Sequence, residues 1–182
     1  TFDYDPNGQF EILAVGDSTS DSFSYTVSDG NGGTDTATAT ITIDGVNDSP
    51  VAADDAVVTD EDSPVNGNVL ADNGSGADSD VDGDTLTVTA GSFATASGGL
   101  VMLNADGTFT YDPNAQFESL GIGQSDTDSF TYTHNDGNGG SDTATVTITV
   151  DGVNDAPLAA DDDVVTDEDT TVNGNVLADN GN

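Results

Sequence analysis

Residues 21–43 read DSFSYTVSDGNGGTDTATATITI, and their alternation decides the fold class. Phe23, Tyr25 and Val27 fall on one side of an extended segment, with Ser22, Ser24 and Thr26 on the other. After Asp29-Gly30-Asn31-Gly32-Gly33 the pattern returns, with Ala37, Ala39, Ile41 and Ile43 facing inward and Thr36, Thr38, Thr40 and Thr42 outward. Strict period two with one polar face is the mark of a half-buried antiparallel strand. The glycines between the runs accept the positive φ that a tight hairpin needs. The stretch therefore predicts strands over Asp21–Ser28 and Thr34–Ile43. Threonine suits the outer face, being β-branched without being greasy.

The same hairpin recurs at Asp128–His134 with Thr143–Val150. Shifting the chain by 107 positions lays Thr1–Ser75 over Thr108–Asn182 without a gap, and 55 of the 75 pairs are identical. A repeat at this period makes each unit an ordinary domain. The units run 1–49 (the late part of one repeat), 50–156 (a complete repeat) and 157–182 (the early part of the next). The chain reads as a window on a longer tandem array. Within the complete unit, short strands are expected at Ala56–Thr59, Val65–Leu70, Thr85–Ala90, Gly99–Leu103 and Gly107–Tyr111, ahead of the hairpin. Thr1–Tyr4 reads as a strand tail and Gln9–Gly16 as a wrap across the end of the fold. About seven short strands per unit, with turn residues between them and no helix beyond a turn, predict an all-β sandwich.

The 182 residues include 35 acidic ones, no Lys or Arg and no Cys. Such a chain repels itself. It could be disordered, or its carboxylates could be neutralised by hard cations. The long apolar alternations favour the folded, cation-bound reading. The charge argues against nucleic acid and against an anionic membrane surface. Without cysteine there are no disulfides to staple the fold.

The acids gather in two kinds of cluster. Asp78-Ser79-Asp80-Val81-Asp82-Gly83-Asp84 places carboxylates at every second position around a glycine, like the first half of an EF-hand loop. Thr89 stands where the twelfth-position glutamate would be, so a complete EF-hand is excluded and distant residues must finish the shell. The other cluster is the seam between units. Asp44, Asn47 and Asp48 lie on the connector, Pro50 stiffens it, and Asp54, Asp55, Asp60, Glu61 and Asp62 follow. Asp151, Asn154, Asp155, Asp161, Asp162, Asp167, Glu168 and Asp169 repeat the arrangement. Oxygen ligands from two consecutive units around one ion would fix the angle between them, and an all-oxygen set in flexible loops suits Ca²⁺. Asp29 and Asp136 are expected to cap their own turns. His134 takes the inward position of Val27 and is read as a strand-end residue without chemistry. Tyr25 and Tyr132 are expected in the core, their hydroxyls on backbone partners. The acids recur in every repeat with no apolar pocket around them, so catalysis is not expected. A carbohydrate- or protein-binding module would require exposed aromatics, and most of those available sit on inward strand positions.

Gly107–Pro157, GTFTYDPNAQFESLGIGQSDTDSFTYTHNDGNGGSDTATVTITVDGVNDAP, closely resembles the VCBS repeat, a cadherin-like module of large bacterial surface proteins. Thr1–Pro50 carries the same signature, and Val69–Val88 resembles the opening half of such modules. The resemblance implies a cadherin-like or immunoglobulin-like Greek-key sandwich. It also implies a shortened cadherin linker at Asn47-Asp48-Ser49-Pro50 and Asn154-Asp155-Ala156-Pro157, with Asp44 and Asp151 one place further out than the cadherin motif has them. The acid of the cadherin early strand falls near Glu61 and Glu168, and its Asp-x-Asp near Asp80 and Asp82. Members of this group are secreted adhesin stalks serving attachment and biofilm formation. The expectation is a calcium-rigidified spacer whose partners are neighbouring repeats of the same chain. The alternative is a filament in which partial repeats of like chains exchange strands.

Overall fold

The computed structural model describes residues 1–177. β1 (Ser18–Ser28) and β2 (Thr34–Asp44) form the predicted first hairpin, antiparallel, with Phe23 opposite Ala39 and Tyr25 opposite Ala37. Both strands run slightly longer than the alternation alone delimits. Eight further strands follow: β3 (Asp55–Asp60), β4 (Val65–Asn68), β5 (Thr87–Val88), β6 (Gly91–Ala94), β7 (Leu100–Leu103), β8 (Thr108–Asp112), β9 (Ser125–Asn135) and β10 (Ser141–Asp151).

These eight make a sandwich of two four-stranded sheets, ordered β3-β10-β9-β5 and β4-β8-β7-β6. β3 lies parallel to β10, with Asp55 opposite Val146 and Asp60 opposite Asp151, while every other pairing is antiparallel. The unit has eight strands where about seven were expected. The added one is β6, whose Gly91-Ser92-Phe93-Ala94 has too little apolar alternation to announce a strand. Pairing shortens the expected Thr85–Ala90 strand to Thr87–Val88.

The core is where the alternation puts it. Phe130, Tyr132, Ala144, Val146, Ile148 and Val150 from β9–β10 meet Val101, Leu103, Phe109 and Tyr111 from the opposing sheet. Phe109 and Phe130 pack edge to face at 5.3 Å between centroids. Beside them, the Tyr111 hydroxyl donates to Asp128 Oδ2 at 2.9 Å. The Tyr132 hydroxyl sits 3.0 Å from the carbonyls of both Ala53 and Val69, tying the connector to the start of the second sheet.

The first hairpin has the same pattern and a different fate. Tyr25 is 46% exposed where its copy Tyr132 is 3% exposed. The difference is context: among the described residues, no complete second sheet covers the inner face of β1–β2. Thr1–Tyr4 is not a strand here, and residues 10–17 make two consecutive four-residue turns, Leu13 N–H to the Phe10 carbonyl at 3.0 Å and Asp17 N–H to that of Ala14 at 2.9 Å. Residues 157–177 contain no strand and are almost wholly exposed. Within the described residues no helix is long and apolar enough to cross a membrane.

Candidate metal centres at the two ends of the module

Three loops meet at the end of the sandwich where the connector arrives: residues 45–53, residues 78–84 and the β9–β10 turn. Asn-Asp-x-Pro makes the join. Pro50 is buried, and a Cβ placed on Gly140 would sit 2.9 Å from Pro50 Cδ and 3.0 Å from Ser49 Cα, so only glycine lets the turn approach the connector. Asn47 Nδ2 donates to Asp136 Oδ2 at 2.8 Å, and the Asp48 N–H donates to Asp82 Oδ2 at 2.8 Å. Val51 and Ser79 exchange both backbone hydrogen bonds, at 2.8 and 3.0 Å. The Ala52 N–H reaches Asp142 Oδ2 at 2.9 Å and the Ala53 N–H reaches Asp78 Oδ1 at 2.8 Å. These backbone donors and carboxylate acceptors hold the connector against the module that follows it.

Asp136 does more than cap its turn. Its Oδ1 accepts the N–H groups of Asn138, Gly139 and Gly140 at 2.7, 2.9 and 3.0 Å, while Oδ2 shares the Gly140 N–H at 3.0 Å and accepts from Asn47. The Asn47 amide, with those N–H donors behind it, holds this carboxyl below the usual range. The acidic loop closes on itself through Asp84 N–H to Asp80 Oδ1 at 3.1 Å, around Gly83 at φ +78°. Asn138 Nδ2 holds Asp84 Oδ2 at 2.8 Å.

The result is that Asp80, Asp82 and Asp84 each bring a carboxylate oxygen within 4.8 Å of the others. Asp80 Oδ2, Asp82 Oδ1 and Asn47 Oδ1 are buried and accept no hydrogen bond. Oxygens left this way cost ~1–3 kcal/mol each, more when charged, unless a partner arrives. Since the chain has no Lys or Arg, its side chains offer no basic partner apart from one histidine. Partly buried, oxygen-only and arranged on a glycine-turned loop, this set fits a hard divalent cation.

A second centre forms at the opposite end. Glu61 is 2% exposed. Its N–H donates to the Asp151 carbonyl at 3.1 Å and its Oε1 accepts the Val153 N–H at 2.8 Å, while Oε2 is buried and unpartnered. Next to it, Asp62, Glu118 and Asp155 bring carboxylate oxygens within 4.8 Å of one another. Lost solvation, with Asp155, Asp62 and Glu61 nearby, pushes the Glu118 carboxyl above its usual range.

The structure therefore divides the acids that the sequence places at one seam. Asn47 and Asp48 stay with Asp80 and Asp82, but Glu61 belongs to the far end. The cause is β3: the chain from Asp54 to Glu61 is extended and covers roughly 20 Å along β10. Asp54 and Asp55 are left along that path, away from both carboxylate groups, and Asp55 Oδ2 is buried without a hydrogen-bond partner. Asp54 Oδ1 accepts the Thr145 N–H at 2.8 Å, and Asp55 lies buried with Oδ1 on Asn73 Nδ2 at 2.8 Å. Burial raises the Asp55 carboxyl above its ordinary value. Asp44 ends β2 and Asp151 ends β10, both exposed. Asp78 turns inward: its Oδ2 is 3.8 Å from Nδ1 of His134, which is fully buried. Asp161, Asp162 and Glu168 lie in the strandless segment after Pro157.

Glu118 is the member that pattern reading misses. It sits in the wrap after β8, far in sequence from any acidic run, and the one available signal is that Glu11 occupies the same place in the other copy.

Residues 47–152 match a family model described as a bacterial cadherin-like domain, and residues 1–42 match one described as a bacterial Ig domain. No curated protein matches the chain. Among solved structures, mouse clustered PcdhgC3 EC1-3 is 20% identical over 74% of this chain, with TM-score 0.42. A nucleoside hydrolase-related hypothetical protein from Saccharophagus degradans, associated with carbohydrate metabolism, is 17% identical over 58% of this chain, with TM-score 0.38. The chain spans 44% and 26% of their respective lengths, and likenesses at this level bear no argument about function.

Proposed function

The chain belongs to the bacterial cadherin-like domain family, and we propose that it is a calcium-rigidified spacer, one stretch of the stalk of an extracellular bacterial adhesin. The observation that carries this reading is the set of buried, unpartnered oxygens on both sides of a seam: Asn47 Oδ1 from the connector, with Asp80 Oδ2 and Asp82 Oδ1 from the following unit. Glu61 Oε2 repeats the situation at the other end, next to Asp62, Glu118 and Asp155.

Asn47, Asp80, Asp82 and Asp84 would hold one ion, and Glu61, Asp62, Glu118 and Asp155 would contribute one side of another. A bound Ca²⁺ supplies two positive charges to oxygens that otherwise repel. The chain's own residues do the rest. Asp136, anchored by its turn, orients Asn47, while the Asp48 N–H on Asp82 and the Val51–Ser79 bridge fix where the connector lies. Neutralising the loop leaves the connector clamped between two units, and a series of such seams makes a stiff one-dimensional array. In the extracellular setting, calcium held at ~10⁻⁴–10⁻³ M by such modules would make stiffness follow the surroundings. The role is mechanical: presenting an adhesive tip away from the cell in attachment and biofilm formation, with neighbouring repeats as its partners.

Small-angle scattering of the chain in calcium and in EDTA tests this. The expected result is a rod-like profile in calcium that softens on chelation. Identical profiles in both would remove the role assigned to the seams.

A further inference from the structure

We infer that the free edge of β6 is a lateral docking surface for a second copy of this chain. Two β6 strands would meet antiparallel about a two-fold axis, joining the β4-β8-β7-β6 sheets of two modules into one. The inference is independent of the calcium reading. All the residues that carry it lie inside the complete unit, between strands present on both sides of them in sequence.

The first observation is a gap in the charge. Residues 85–105 hold no Asp or Glu across 21 positions, whereas no other run free of acids in this chain exceeds nine. β5, β6 and β7 all fall within the gap. The second observation is an edge without protection. β6 ends its sheet with no strand on its outer side, and Gly91-Ser92-Phe93-Ala94 carries neither charge nor proline. Edges in that state pair with other chains. β3, at an edge of the facing sheet, has Asp55 and Asp60 at its two ends. The Thr95 N–H donates to the Gly99 carbonyl at 2.8 Å. By the alternation of an antiparallel ladder, Phe93 then bonds to β7, while Ser92 and Ala94 turn their N–H and C=O groups to the open side.

Both flanks of this edge are apolar. On the inner side Phe93 is 38% exposed and packs edge to face on Phe130 at 5.9 Å. It looks out of a slot between the sheets, because β5 covers β9 only at His134 and Asn135 and leaves Ser129–Thr131 bare. On the outer side Leu100 and Met102, 46% and 57% exposed, stand opposite the small Ala94 and Ser92 and border a groove of about 500 Å³.

The charge pattern also selects the occupant. A basic partner would be drawn to the carboxylates and away from this strip. A copy of the chain has no Lys or Arg, so elsewhere it would set carboxylate against carboxylate. It can approach closely where neither surface is charged. With Phe93 on the axis, Ser92 lies opposite the partner's Ala94, Phe93 meets the partner's Phe93, and Leu100 and Met102 of both copies close over the join. The contact is isologous and pairs chains side by side. It is also small and opposed by the remaining charge, so salt strengthens it.

Met102 is the chain's one methionine, so a ¹³C-labelled methyl reports on this face alone. At high salt and constant calcium, sedimentation equilibrium should show a monomer–dimer equilibrium, and the Met102 methyl signal should shift along the same concentration curve. Ser92→Asp should weaken the dimer about tenfold or more. Thr147→Asp, which adds the same charge to the exposed face of β10, should leave it unchanged. Both positions are exposed, and thermal unfolding of each variant confirms that it is folded. Equal weakening by the two variants, or a dimer whose Met102 signal stays still, would overturn the proposal. So would a monomer at every concentration, which would leave the face to an uncharged partner of another kind.

Discussion

Phe130 and Phe23 are the same residue in two settings, and they separate what a side chain does from what its surroundings allow. Phe130 is buried between the sheets, against Phe109 and Phe93. Phe130→Ala should cost ~3–5 kcal/mol of module stability, and Phe23→Ala about 0.5 kcal/mol or less. Urea unfolding of the two variants, followed by the signal of the complete module, checks this. Asp142 gives a pH prediction. The N–H groups of Ala52 and Thr143 hold its carboxyl below the usual range. A depressed folded value gives stability that is present above the unfolded value of ~3.9 and lost as pH falls through the folded one. Asp142→Asn should therefore flatten the low end of the acid-unfolding curve, which an acid titration of both proteins would reveal. Asp55, raised by burial, has the opposite sign: its charge opposes folding above its folded value, and proton uptake relieves it. At this scale the sequence is least informative about His134. The alternation places it inward at Val27's position, but its fully buried ring beside Asp78 depends on the 78–84 loop folding back, which no local pattern announces.

Strands with strict alternation, β1, β2, β9 and β10, are legible to within a few residues because the alternation itself writes one apolar and one polar face, the apolar face being buried in β9 and β10 and largely uncovered in β1 and β2. β6 is not, since Gly91 and Ser92 hide it and only pairing with Leu103 and Met102 defines it. The seams are half legible. Asn-Asp-x-Pro shows that a joint exists, and Asp80 and Asp82 show that it is acidic. That Glu61 leaves for the far end follows from β3 crossing the module in parallel with β10, a long-range pairing with no local signature. Glycines at close approaches mark where elements touch. A Cβ on Gly67 of β4 would lie 2.5 Å from the Phe109 ring, so Gly67→Ala should cost ~1–3 kcal/mol through overpacking. Gly174 holds the same place in the other copy with nothing near it, so Gly174→Ala should leave the unfolding midpoint of the module unchanged.

For the whole molecule, 35 carboxylates and one histidine make self-repulsion the dominant long-range force. On the proposed reading, repeated seams would convert that liability into a dependence on cations, since Asp80, Asp82 and Asp84 gather carboxylate oxygens within 4.8 Å of one another beside the connector. The measurement that tests this most directly is calorimetric calcium titration with thermal unfolding of the same sample in calcium and in EDTA. At calcium 100-fold above its dissociation constant, each occupied site should add ~2.7 kcal/mol. On a module of this size that is a rise in melting temperature on the order of 10 °C. Saturable binding with a rise of that size, abolished by Asp80→Asn with Asp82→Asn at the first seam, is the predicted result. No binding heat and the same melting temperature in calcium and EDTA would contradict the account, leaving the carboxylates as a solvated coat and the seams without a clamp.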